Sequence, residues 1–191
     1  MNRRGLLQTS FLSLPVWAWA QSENLPGGVT DWTIGAKAKL EAFDLAREIG
    51  LQGIQVSIEP EPAEGAYDLR QESAQKALLE KVAETGVQIA STAMGVFNGR
   101  PFKNHERAVE WARQGVAATA ALEKRVMLMA FFGKNDLKND AEGTAETIRR
   151  LKEVAPVAEE HGVILGLETT ISAEEHLHII ESVGSPAVQV Y

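Results

Sequence analysis

The sequence predicts an α/β fold of parallel strands returned by helices, a (β/α)₈-type barrel with about five and a half of its eight units present. Three observations carry this. Short apolar runs alternate with amphipathic segments, and the runs begin roughly 25 to 40 residues apart, the length of a strand plus a return helix. Val163-Ile164-Leu165-Gly166-Leu167 is apolar throughout, as a strand is when it is buried on both faces of a parallel sheet. No Gly-rich phosphate loop follows the first run, which favours a closed barrel over an open nucleotide-binding sheet.

The elements follow in order. Residues 1–20 read as an export signal. Arg3-Arg4 precedes Leu6-Leu7 and a mildly apolar stretch, Phe11 to Ala20, that ends in Ala18-Trp19-Ala20. Small residues at the first and third of those positions suit a signal peptidase. The paired arginines resemble a twin-arginine signal, although Asn2 and Gln8 depart from that pattern; a general secretory signal is the alternative. Either reading places the mature chain outside the cytoplasm, in the periplasm or beyond. The apolar stretch is too short for a stable membrane span. Residues 21–29, with Pro26-Gly27-Gly28, form a linker, and residues 30–191 the barrel portion.

Strands are expected at Asp31–Gly35, Gly53–Ile58, Val87–Thr92, Val126–Phe132, Val163–Leu167 and Ala187–Tyr191. Helices fill the intervals. Ala42, Leu45, Ala46 and Ile49 share one face before Gly50, and Ala74, Ala77, Leu78 and Val82 another before Gly86. Asn104 can cap a third helix that buries Ala108, Trp111, Ala112, Gly115, Ala118 and Leu122. Ile148, Leu151, Ala155 and Ala158 make a fourth, stopped by Gly162 and kinked rather than broken at Pro156. A fifth runs from Ala173 to Val183. The chain then stops at Tyr191, after a strand with no helix to cover it, so the natural domain is expected to continue.

Composition narrows the function. A net charge of −7 and the lack of any long basic run argue against a nucleic-acid partner. Without cysteine there is no disulfide, thiolate metal site or cysteine nucleophile. The histidines do not form a ligand set: His176 and His178 lie on different faces of one helix, and His105 and His161 sit at helix ends. Ser73-Ala-Gln-Lys76 matches a Ser-x-x-Lys pattern, but it falls in an outer helix and lacks the companion motifs.

In a barrel the site lies at the C-terminal ends of the strands. Glu168 stands there, after five apolar residues. By strand alternation it shares a face with Gly166, which leaves space beneath it. From position alone its carboxylate faces either the interior, where it needs a cation or donors, or water. Other strand-end residues that could contact a ligand are Trp32, Glu59, Ser91 and Phe132. Trp32, Phe97 and Phe132 could stack on a sugar, and Arg100 or Lys134 could meet an anionic group.

The stretch Ala158-Glu159-Glu160-His161-Gly162-Val163-Ile164-Leu165-Gly166-Leu167-Glu168-Thr169 resembles the fifth-strand entry of the xylose-isomerase-like TIM-barrel superfamily of sugar phosphate isomerases and epimerases. Ser185 to Tyr191 resembles its approach to the sixth strand, and Gly50 to Val56 its second strand, with Gln55 where the family often has Glu. The resemblance spans roughly residues 30–191 and covers the N-terminal part of that barrel. It implies a divalent metal ion (manganese, magnesium, cobalt or zinc) held by Glu, Asp, His and Glu of strands five to eight. It also implies paired glutamates that move a proton next to a carbonyl of a sugar or polyol. Glu168 matches the first glutamate, as metal ligand and catalytic group; the other ligands fall beyond Tyr191. The expectation is therefore an exported isomerase or epimerase, truncated and inactive as it stands. A dehydratase or lyase of the same superfamily and a non-catalytic exported carbohydrate-binding barrel are the alternatives.

Overall fold

A computed structural model describes residues 26–191. Residues 1–20, expected to be an export signal, and most of the expected linker lie outside the described residues. The chain builds one six-stranded sheet, all parallel, in the order β1-β2-β3-β4-β5-β6. The strands are β1 (Gly28–Thr30), β2 (Gly53–Ser57), β3 (Gln88–Met94), β4 (Val126–Phe131), β5 (Ile164–Thr169) and β6 (Val188–Val190). The returning helices are α1 (Glu41–Ile49), α2 (Glu72–Thr85), α3 (Ala108–Ala121), α4 (Ala141–Glu160) and α5 (Ala173–Val183). This is the incomplete parallel barrel that the alternation predicts. Among the described residues no helix is long and apolar enough to cross a membrane.

Helix ends follow the local chemistry. Gly50, Gly86 and Gly184 take the left-handed conformation that closes α1, α2 and α5. Ser172 and Glu175 form a reciprocal capping box at the start of α5. α4 runs through Pro156 without a break. Two expectations fail. Asn104 does not cap α3, which starts at Ala108 with Arg107 in the cap position. Instead the amides of Asn104 and His105 both turn back onto the carbonyl of Pro101. Likewise Asp31–Gly35 is not the first strand, which ends one residue earlier at Thr30. There Asp31 is fully buried and its carboxylate accepts from the Ala38 amide, while the Thr33, Gly35 and Ala36 amides close turns onto the Thr30, Trp32 and Asp31 carbonyls.

Alternation along the strands separates two layers. Met127, Met129, Phe131, Leu165 and Leu167 pack with Trp111, Leu151 and Val154 of the helices in the main core. Ala93, Leu128 and Ala130 form a second cluster on the inner face, joined by Trp32 and Phe132. A bulge in β3 sets which residues face inward: the register steps from Ile54↔Ile89 to Gln55↔Ser91. Without the extra residue, Ile89, Ser91 and Ala93 would share one face. With it, Ile89 joins the helix-side core while Ser91 and Ala93 turn to the inner face.

Candidate functional site

Glu168 lies inside β5, one residue before its end, paired in register with Ala130 of β4. The strand extends two residues beyond the expected limit at Leu167. The carboxylate opens into a cavity of about 480 Å³ at the C-terminal ends of the strands, and among the described residues it is the only side-chain carboxylate in the cavity wall. Trp32, from the loop after β1, and Phe132, just past β4, line the same space. Two larger recesses, of about 710 and 660 Å³, lie on the outer surface against α4 and contain none of the five candidate residues.

The remaining candidates reach this cavity through intermediaries. Glu59 does not line it, but one of its carboxylate oxygens stands 2.8 Å from Nζ of Lys37, which does. Ser91 lies in mid-strand rather than at a strand end, and it is buried. Its hydroxyl accepts from the Gln55 side-chain amide at 2.8 Å. Gln55 in turn lines the cavity and is only 5% exposed. Glu168, Trp32 and Phe132 thus meet directly, while Glu59 and Ser91 act through Lys37 and Gln55.

The space expected beneath Glu168 is filled. Gly166 faces inward as alternation requires, but the ring of Tyr191 lies against it, so near that a Cβ at 166 would stand 2.8 Å from Cδ2. The Tyr191 phenol crosses the inner face to β2, where it accepts from Gln55 Nε2 at 2.9 Å.

Loops are held by named contacts. Asp31 accepts from the Ser57 amide at 2.8 Å and the Ser57 hydroxyl at 2.6 Å. It also accepts from the Ala38 amide at 3.0 Å and the Tyr67 phenol at 3.2 Å. These bonds fix the loop that carries Trp32 and Lys37. Burial, then the charge of Asp31, push the Tyr67 phenol far above the ordinary tyrosine range, so it remains a donor. Asn98 accepts from the Phe132 amide at 3.0 Å, and the buried Asn135 donates to the Ala130 carbonyl at 2.9 Å. Together they set the mouth of β4.

The other sequence candidates take structural places. Phe97 is buried edge-on against Phe102, with ring centroids 5.2 Å apart, and does not line the cavity. Arg100 pairs with Glu61, and Lys134 is exposed. His105 stacks on Trp111, and His176 Nε2 lies 3.1 Å from the Thr169 hydroxyl. Sequence reasoning did not single out Asp31, Lys37 or Tyr191 as site residues. A polar residue inside the apolar run Gly53–Ile58 was the available signal for Gln55.

Among the described residues no three His, Asp or Glu side chains converge as metal ligands. A hard divalent ion takes about six oxygen ligands, so Glu168 alone does not fit one.

Comparison with known proteins gives the same architecture. The sequence profile described as "Xylose isomerase-like TIM barrel" matches residues 43–191. No curated protein matches the chain. Among solved structures, a xylose isomerase-like TIM barrel protein from Mycobacterium smegmatis in complex with magnesium superposes with a TM-score of 0.64 at 16% identity, covering 86% of this chain and 63% of that one. D-psicose 3-epimerase from Clostridium cellulolyticum H10 with D-tagatose gives 0.64 at 13% identity, over 87% of this chain and 62% of that one. The apo 3-keto-D-glucoside 4-epimerase of E. coli gives 0.65 at 14% identity, over 85% and 66%. At such identities the likeness is one of fold, and the chain spans less than two thirds of the length of the first two. The profile match covers more than half of the sequence, and the chain belongs to the xylose isomerase-like TIM barrel family.

Proposed function

We propose that the full-length protein isomerises or epimerises a small sugar or polyol, with Glu168 exchanging a proton on the carbon next to a carbonyl. The observation that carries this is Glu168 near the C-terminal end of β5, the only side-chain carboxylate among the described residues in the wall of a cavity flanked by Trp32 and Phe132. Aromatic faces pack on the apolar faces of a sugar and shield it from water. Lys37, steadied by Glu59, offers an N–H to a ligand oxygen. Glu168 is a base of suitable kind once it lies within hydrogen-bond reach of the carbon-bound proton. The solved relatives with D-tagatose or named for epimerising a keto-glucoside support the substrate class.

A divalent ion would add Lewis-acid polarisation of the sugar oxygens. Glu168 would be one of its ligands, and we place the others C-terminal to Tyr191. We also take residues 1–20 as an export signal, so that the protein works in the periplasm. Cell fractionation of a tagged full-length protein tests this: retention in the cytoplasm with an uncleaved N-terminus would overturn it.

The test of function uses the full-length gene product, its Glu168→Gln form and the 191-residue chain. Stoichiometric divalent metal, and exchange of a ketose carbon-bound proton for deuterium in heavy water, are expected only in the unaltered full-length protein. A full-length protein that binds D-ketohexoses but exchanges no proton and holds no metal would instead be a carbohydrate-binding barrel.

A further inference from the structure

The side-chain amide of Gln55 is only half used. Its Nε2 donates to the Ser91 hydroxyl at 2.8 Å and to the Tyr191 phenol at 2.9 Å, so both N–H groups are engaged. Its Oε1 is buried and has no hydrogen-bond partner among the described residues, although Gln55 is 5% exposed and lines the Glu168 cavity. An unpaired buried carbonyl is costly, and the cost is recovered when a donor arrives. Of the two groups that hold Nε2, Ser91 is buried within β3 and does not line the cavity, whereas Tyr191 lines it beside Gln55. Tyr191 is therefore the neighbour that can give way.

A carboxamide offers one acceptor and one donor side by side. Two hydroxyls on adjacent carbons present the complementary pair: one donates to Oε1 while the other accepts from Nε2. We propose that Gln55 recognises a vicinal diol of the ligand, and that the Tyr191 phenol is the group the diol displaces. This rests on the sugar reading above and narrows it. The ligand carries two neighbouring free hydroxyls on the β2 side of the cavity, remote from the proton exchanged by Glu168 on β5. A phosphate at that position, lacking a donor for Oε1 when ionised, would be refused. The specificity comes from leaving Oε1 unpaired when the donor hydroxyl is missing, the arrangement by which buried polar groups discriminate most strongly.

The experiment is calorimetric binding of the D-ketohexoses, and of singly deoxygenated analogues of the tightest one, to the full-length protein and its Gln55→Met and Tyr191→Phe forms. Thermal melting confirms that each variant is folded. For the unaltered protein, removal of either of two adjacent hydroxyls should weaken binding roughly tenfold, the worth of one buried hydrogen bond. Gln55→Met should lose affinity for the parent sugar and no longer distinguish those two analogues. Tyr191→Phe, which frees Nε2, should bind the parent sugar at least as tightly as before. Sugar binding that is equally sensitive to every hydroxyl, or a folded Gln55→Met with unchanged discrimination, would overturn the diol assignment while leaving the sugar reading intact. Failure of the unaltered protein to bind any ketohexose would overturn both.

Discussion

Tyr191 and Gly166 occupy one place on the inner face of the sheet: the ring of the first sits where a side chain of the second would project. The tyrosine just after β6 fills the space that the glycine of β5 leaves open, and its phenol then spans to Gln55 on β2. A side chain at 166 and the ring at 191 are mutually exclusive. Gly166→Ala is expected to destabilise the folded chain by about 1–2 kcal/mol, a typical overpacking cost. The double variant with Tyr191→Ala should lose less than the two single changes added together. Urea unfolding of all four proteins checks this, and strict additivity would contradict it.

Asp31 is the second test. It is fully buried with four donors around its carboxylate, two from Ser57 on β2, one from Ala38 within its own loop and one from Tyr67 farther along the chain. Asp31→Ala leaves those donors unpaired, and the expected loss is about 3 kcal/mol or more, since hydrogen bonds to charged groups are each worth ~1.5–3 kcal/mol. Ligand affinity should fall as well, because the same bonds position Trp32 and Lys37. Denaturant unfolding together with sugar binding measures both effects.

Helix α3 meets the sheet through Gly115. A Cβ there would lie 2.7 Å from Sδ of Met127 and 2.8 Å from Sδ of Met94. Gly115→Val is expected to cost about 2–3 kcal/mol by forcing the helix outward. Met127→Ala should cost less in that background than in the parent, because there it also relieves the clash. A Gly115→Val protein as stable as the parent would show that the helix seats differently.

The Glu146 cluster on α4 predicts a pH effect. Hydrogen bonds first from Arg149 and then from Arg150 hold the Glu146 carboxyl down, from 4.5 to about 2. A carboxyl whose folded-state pKa is depressed contributes stability above its unfolded value and loses it as pH falls through the folded one. The difference between the parent and Glu146→Gln should therefore be full above about pH 4.5 and vanish by about pH 2. The group is near the surface, so the difference should be about 1 kcal/mol or less and shrink in high salt. Paired melts from neutral pH to pH 2 test the sign.

Local pattern was enough for most of the architecture. The helix before Gly50 (although its expected stripe member Ile49 is exposed and Phe43 is buried instead), the stop at Gly86, the span Ala173–Val183 and the unbroken apolar run into Glu168 all report interactions between residues close in sequence. The lost cap at Asn104 and the displaced first strand are different. There Pro101 and the Asp31 carboxylate take over nearby amides, and for Asp31 the deciding partners, Ser57 and Tyr67, lie 26 and 36 residues away.

The candidate site divides along the same line. Periodicity and resemblance alone mark Glu168 at the end of a buried parallel strand and bring Trp32 and Phe132 to strand ends. They could not assign Ser91 and Glu59 to supporting places behind Gln55 and Lys37, because those pairs join different strands and loops. Nor could they foresee Tyr191 closing the gap beneath Glu168, since alternation gives the direction of a side chain and not what arrives from the neighbouring strand. Helix and strand signals are written in neighbouring residues, whereas the contents of a cavity depend on which distant side chains the assembled sheet brings within reach.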